Sequence, residues 1–282
     1  MTVDFTKLPF NGVTNPTADT LTDAITAPPV DGGFVVVTLK TDDVPAAVPH
    51  VRDFIRSLRA DGSRTGPVDV TLYRQLDRSE LGGAVPFDQS FCERLLADIA
   101  ARRDTQVGRF PGLASADAFA LSNPVADLVL FVTFETTAAA TEAVHAWHDD
   151  ASAFSSLARH LQGVTIGAFR NMKQYAHVSL DPDAIQFFNL FPGPGDGNAL
   201  WDAWQEVLPR YFDVAGIRSS FPLQALDPDQ SILLVNYAHA DSMKYFLLGM
   251  VFDPNFLEDI TRCYVERGFG YPHPFFCKII PG

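Results

Sequence analysis

The residues best equipped for chemistry lie in the second half of the chain, at Asn236-Tyr237-Ala238-His239. If the apolar run before them is a strand, alternation puts Asn236 and Ala238 on one face and Tyr237 and His239 on the other. A buried amide must find a partner, and one aimed into a cavity can hold a ligand carbonyl or stabilise a developing enolate or phenolate oxygen. An imidazole titrates near neutrality, which suits His239 to general-base work. The plainer readings are a strand-end Asn with local hydrogen bonds and a rim histidine facing water. Trp201 and Trp204 share one side of a helix, either as core or as a wall for a planar polycycle to stack on. Phe187, on the strand before that helix, and His273, in the stiff turn Tyr271-Pro272-His273-Pro274, complete the candidate lining. The chain holds 23 Phe against 7 Tyr. That bias fills a core and would also suit a flat, apolar ligand.

Other constellations carry less. His145, His148 and Asp149 fall at i, i+3 and i+4 on a helix, but without a fourth ligand they read as a solvated helix end, and no metal is expected. The loop 192–197 is Gly-rich but lacks both the P-loop Lys-Ser/Thr and the G-x-G-x-x-G spacing. It reads as a βα turn with Asn198 capping the helix. No G-x-S-x-G is present, so Ser-His-Asp chemistry has no support.

Positioning these groups requires strands and helices in a definite order. Residues 1–31 read as an extended arm. A strand at 34–39 precedes a helix from Asp42 or Asp43 to Asp61-Gly62, with Val44, Val48, Val51, Phe54, Ile55 and Leu58 on one face. A strand at 68–73, a helix at 87–103, strands at about 113–121 and 128–135, helices at about 138–149 and 151–161, and a strand at about 164–171 follow. The second half reads as a strand at 185–191, a helix at about 198–213, and strands at about 217–225 and 231–238. Helices at about 241–250 and 254–266 and a strand at 274–280 complete it. That order is β-α-β-β-α-β, the ferredoxin-like unit.

The first half repeats it. Gly112 to Gly216 and Pro124 to Pro228 are both steps of 104 residues, and Leu128–Val132 matches Ile232–Asn236 without a gap. A period this long implies two domain-sized units rather than a solenoid. The expected division is an arm at 1–31, a first unit at 32–178 with an insertion between about 61 and 110, and a second unit at 179–282. Each unit exposes one apolar sheet face, so the two should pack sheet to sheet as a pseudo-dimeric α+β barrel. Either 68–73 or 113–121 can be the first unit's second strand.

With Phe110-Pro111-Gly112-Leu113-Ala114-Ser115-Ala116 in the first copy, and Val214-Ala215-Gly216-Ile217, Leu234–His239 and Asp241–Phe246 in the second, the chain resembles the antibiotic-biosynthesis monooxygenases. These are dimeric α+β barrels. The likeness covers about residues 105–170 and 184–280, and the two-copy layout is similar to oxygenases that open or rearrange angucycline polyketide rings. It implies that Asn236 is catalytic, that Tyr245 or Phe246 takes the place of a family Tyr, and that the family Trp is missing near Ala240. It further implies an aromatic polyketide substrate, O₂, and a reduced flavin (FADH2 or FMNH2) supplied by a separate reductase.

On these grounds the expected catalytic set is Asn236, His239 and Tyr245, with Phe187, Trp201, Trp204, Phe246 and His273 around the substrate. The rivals are a cofactor-free cyclase or isomerase, a non-catalytic binding barrel and a haem lyase of the same fold. A net charge of −13 argues against nucleic acid, and no run reaches membrane-span length. Three scattered cysteines and the absence of a basic, apolar leader point to a cytoplasmic protein, with a homodimer open.

Overall fold

The computed structural model describes residues 32–60, 66–76, 126–149, 151–171, 184–191, 196–200, 202–203, 217–227, 232–239, 267 and 273–281. Eight strands close into one antiparallel barrel in the order β1-β3-β2-β8-β5-β7-β6-β4. They are β1 (Gly33–Lys40), β2 (Asp69–Gln75), β3 (Leu128–Phe134), β4 (Gly163–Asn171), β5 (Ala184–Phe191), β6 (Ile217–Ala225), β7 (Ile232–His239) and β8 (His273–Ile279). Among the described residues the first half carries the helices α1 (Val44–Ala60), α2 (Thr137–Trp147) and α3 (Ala153–Ala158).

The barrel order resolves into two equal halves. Strands β4-β1-β3-β2 and β8-β5-β7-β6 repeat the same 4-1-3-2 arrangement, and the halves join where β2 meets β8 and β4 meets β6. The fold is therefore the expected α+β barrel built from two ferredoxin-like sheets. The open question about the first unit's second strand is settled by register. Residues 69–75 pair antiparallel with β3, Leu72 opposite Leu130. The stretch at 113–121 lies outside the described residues, as do the arm at 1–31 and the helices expected at 87–103, 241–250 and 254–266. The repeat thus aligns third strand with third strand, β3 with β7. The chain from β2 to β3 spans 76–127, against only 226–231 from β6 to β7.

Burial explains the sequence of the first unit's strands. β1 and β3 are almost continuously apolar because both of their faces are covered. Val35, Val37 and Leu39, with Leu128, Leu130 and Val132, pack outward against the helices. Phe34 and Val36, with Val129 and Phe131, pack inward. α1 buries Ala47, Val51, Phe54 and Ile55 on the face that its i, i+3, i+4 spacing predicts, with Val44, Val48 and Leu58 at the margin. Asp43 caps it, its carboxylate accepting the Ala46 N–H at 3.0 Å. Phe54, Trp147 and Phe154 lock α1, α2 and α3 together with ring centroids 5.3–5.5 Å apart.

Candidate functional site

The closed barrel has two kinds of compartment, an interior and a helix-side face on each unit. The interior is walled by rings from both halves. Phe34 and Phe131 lie 5.4 Å apart, Phe131 and Phe188 6.4 Å, and Phe188 and Tyr73 5.7 Å. Buried polar groups share that face. Gln186 is opposite Cys277 across the β5–β8 pairing, and Asn171 is opposite Leu223 across the β4–β6 seam. Asn171 is 6% exposed, and its Oδ1 has no hydrogen-bond partner among the described residues. An unmade bond at a buried acceptor costs about 1–3 kcal/mol. Sequence reading missed Asn171, although its alternation with Phe169 on β4 would have marked it as an inward polar residue. Burial pushes the Cys277 thiol far up, with the Arg74 charge opposing only in part, so Cys277 is a poor nucleophile.

The helix-side faces of the two units differ at matched positions. The first unit's third strand carries Val132, which pairs with Val35 on β1 and Val70 on β2. All three are buried in the first unit's hydrophobic cluster. One repeat later, Asn236 on β7 pairs with Phe187 on β5 and with Ser220 on β6, while Phe187 pairs with Phe276 on β8. Opposed residues share a face, and alternation from the inward Phe188 and Cys277 puts this row on the side away from the interior. Ile185 and Phe276 on the same side are buried. An apolar row in one unit is thus replaced in the other by one carrying an amide and a hydroxyl.

The remaining expected residues fall as follows. His239 is opposite Ala184 and His273 is opposite Leu190, both in rows of the interior face. Those rows are six residues apart along β5, roughly 20 Å at the usual strand rise. Register therefore brings Asn236 and Phe187 together, and holds His239 and His273 at opposite ends of the barrel. Trp201, Trp204, Tyr245 and Phe246 lie outside the described residues. Beside Trp201, Leu200 and Ala203 are buried. The helix there is capped by Asp196, not Asn198. The Asp196 carboxylate accepts the Asn198 N–H at 2.9 Å and its carbonyl accepts the Leu200 N–H at 3.0 Å. A carboxylate on the N-terminal side suits the helix dipole better than an amide.

His145, His148 and Asp149 are exposed at the end of α2, and Asp149 accepts the Ala151 N–H. Among the described residues no group of three His, Cys, Asp or Glu is placed to hold a metal ion. No helix among them is long and apolar enough to cross a membrane.

No family model and no curated protein matches the chain. Among solved structures it is similar to an anthrone oxidase-like protein, with 10% identity over 92% of this chain and 94% of that one and a TM-score of 0.57. A candidate monooxygenase from Fusobacterium nucleatum matches with 7% identity over 89% and 94% of the two chains and a TM-score of 0.48. A ferredoxin-fold protein from Listeria monocytogenes, related to antibiotic-biosynthesis monooxygenases, matches with 9% identity over 89% and 96% and a TM-score of 0.39. The first of these likenesses, at 10% identity, shows the fold alone, and that fold is the α+β barrel described above.

Proposed function

We propose that this chain is an oxygenase acting on an aromatic polyketide, a phenol or quinol, held on the helix-side face of the second unit. The observation that carries this reading is the exchange of Val132 for Asn236 at matched register, an amide where the first unit keeps a closed apolar core. An amide at that register is costly to bury unless something answers it, and a ligand oxygen does so. The similarity of the fold to an anthrone oxidase-like protein supports the substrate class.

In this scheme the Asn236 amide holds the substrate oxygen on which negative charge develops as a ring proton or hydroxyl proton leaves. Tyr245, six residues beyond the strand end, is assigned to receive that proton, because His239 stands in a row of the opposite, interior face. Phe187, with Trp201, Trp204 and Phe246, presents flat apolar surface that orients the ring system and excludes water. His273 is assigned to a barrel mouth. O₂ is the oxidant. An anthrone-type methylene becomes a carbonyl with one oxygen atom of O₂, the other leaving as water, and the substrate itself supplies the electrons. Ring cleavage or rearrangement would instead draw electrons from a reduced flavin delivered by a separate reductase. Asn236 and Phe187 would serve the same orienting role there.

An oxygen electrode with anthrones and polycyclic phenols, with and without reduced flavin, is the direct test. Asn236→Ala should cut turnover by about 100-fold, the order seen when a single oxyanion donor is removed, with the circular dichroism spectrum unchanged. Equal turnover by this variant would remove Asn236 from the mechanism. Substrate conversion without O₂ uptake would move the protein to the cyclase or isomerase class.

A further inference from the structure

Outside the barrel, between α1 and the β2–β8 seam, lies a groove of about 440 Å³. Its floor is apolar, from Val70, Leu72 and Ile280, and its rim is Arg52, Arg56 and Arg59. The arginines fall at i, i+4 and i+7, so they form one stripe along the helix. No residue lining the groove is acidic, on a chain whose net charge is −13. Helix-dipole compensation accounts for Arg59 in the last turn but not for Arg52 in the middle of the helix.

Each guanidinium has one described bond. Arg52 donates to the Pro281 carbonyl at 2.5 Å, Arg56 pairs with Asp53, and Arg59 donates to the Val70 carbonyl at 3.4 Å. A guanidinium carries five N–H groups, so these bonds leave most of the donors on the rim uncommitted. The Asp53–Arg56 pair is well exposed, with side chains 62% and 73% accessible. Such a pair is worth little and is readily exchanged for another oxyanion.

We propose that this groove is a binding site for a small organic oxyanion with an apolar body, a carboxylate or a phosphate monoester. The head would be gripped by Arg56 and Arg59 in forked hydrogen bonds and the body would lie on Val70, Leu72 and Ile280. The volume is that of a small-molecule site, and planar guanidinium forks match carboxylate and phosphate geometry. The site is on the opposite side of the β2–β8 sheet from the barrel interior, is lined by α1 and β2 of the first unit and residues 279–281 of the second, and contains none of the residues assigned to the oxygenase reaction, so it stands independently of that reading.

Titration calorimetry on the full chain tests it with decanoate, decyl phosphate and, as the uncharged control, decanol. The two anions should bind and decanol should bind at least about tenfold more weakly, a difference of about 1.4 kcal/mol. The stronger of the two anions identifies the head group. Arg56→Gln with Arg59→Gln should reduce anion affinity at least about tenfold without changing the melting temperature. Asp53→Asn, which removes the competing carboxylate, should raise it. Both shifts should shrink at high salt. Equal binding of decanol, or no response to the Arg56 and Arg59 substitutions, overturns the proposal. So does no binding of either anion, and in that case a melting temperature lowered only by Arg52→Gln would make the rim an anchor for Pro281.

Discussion

Two asparagines at strand positions of this barrel face different demands. Asn236 stands in a register row that the first unit fills with Val132, Val35 and Val70. Asn171 faces the interior between Phe169 and Leu223 rows with an oxygen that nothing described answers. If that acceptor is unanswered in the free protein, replacing the amide by a hydrocarbon of similar size removes a cost and adds packing. Asn171→Leu should therefore raise thermal stability by about 1 kcal/mol, read as a higher melting temperature, while Asn171→Asp should lower it. A lower melting temperature for the leucine variant would mean that the amide is held by a partner beyond the described residues.

At the scale of elements, a single glycine fixes how α2 lies across β1. A Cβ on Gly33 would come 2.2 Å from the Thr136 carbonyl oxygen and 2.8 Å from the Ala140 side chain. Thr136 is the N-cap of α2, its hydroxyl accepting the Ala139 N–H at 3.2 Å, so the clash falls on backbone that cannot swing away. Gly33→Ala should cost about 2–3 kcal/mol, at the upper end for overpacking, measurable by urea denaturation with an unchanged m-value. A cost below ~0.5 kcal/mol would show that the helix shifts freely. The elements themselves were largely legible in the sequence. β1, α1 and β3 follow from apolar spacing, and the 104-residue step found the paired third strands. What could not be read was which strand sits second in the first unit, because 68–73 and 113–121 have equally plausible alternation and only long-range pairing chooses between them. The interior role of Asn171 was missed for a related reason. Alternation gives two faces, but which face points into the barrel depends on closure by the other half. The candidate site was legible as far as Asn236 and Phe187, which register brings side by side; the distance between His239 and His273 was not, since it is set by strand direction.

For the whole molecule, the governing fact is that the barrel is closed by two short seams. β2 meets β8 over three described residue pairs and β4 meets β6 over three, whereas β1–β4 and β5–β7 each run over eight. Each half alone would present two unpaired edges, which are templates for aggregation. The seams should be the first parts of the sheet to open. Native-state hydrogen exchange should find the amides of the seam pairs less protected than those in the middle of β1 and β5. Uniform protection around the barrel would instead show that it opens only by global unfolding.

The join of the two halves in one chain also changes the arithmetic of mutation. In a symmetric dimer every substitution appears twice, so an amide placed on the third strand would burden both sheets at once. Here Val132 and Asn236 are encoded separately. One sheet can keep a sealed, load-carrying core while its twin accumulates polar residues that a self-paired ancestor would have had to tolerate in duplicate. The fused barrel is in that sense a stable half carrying an experimental half, and the cost of acquiring chemistry is incurred only once.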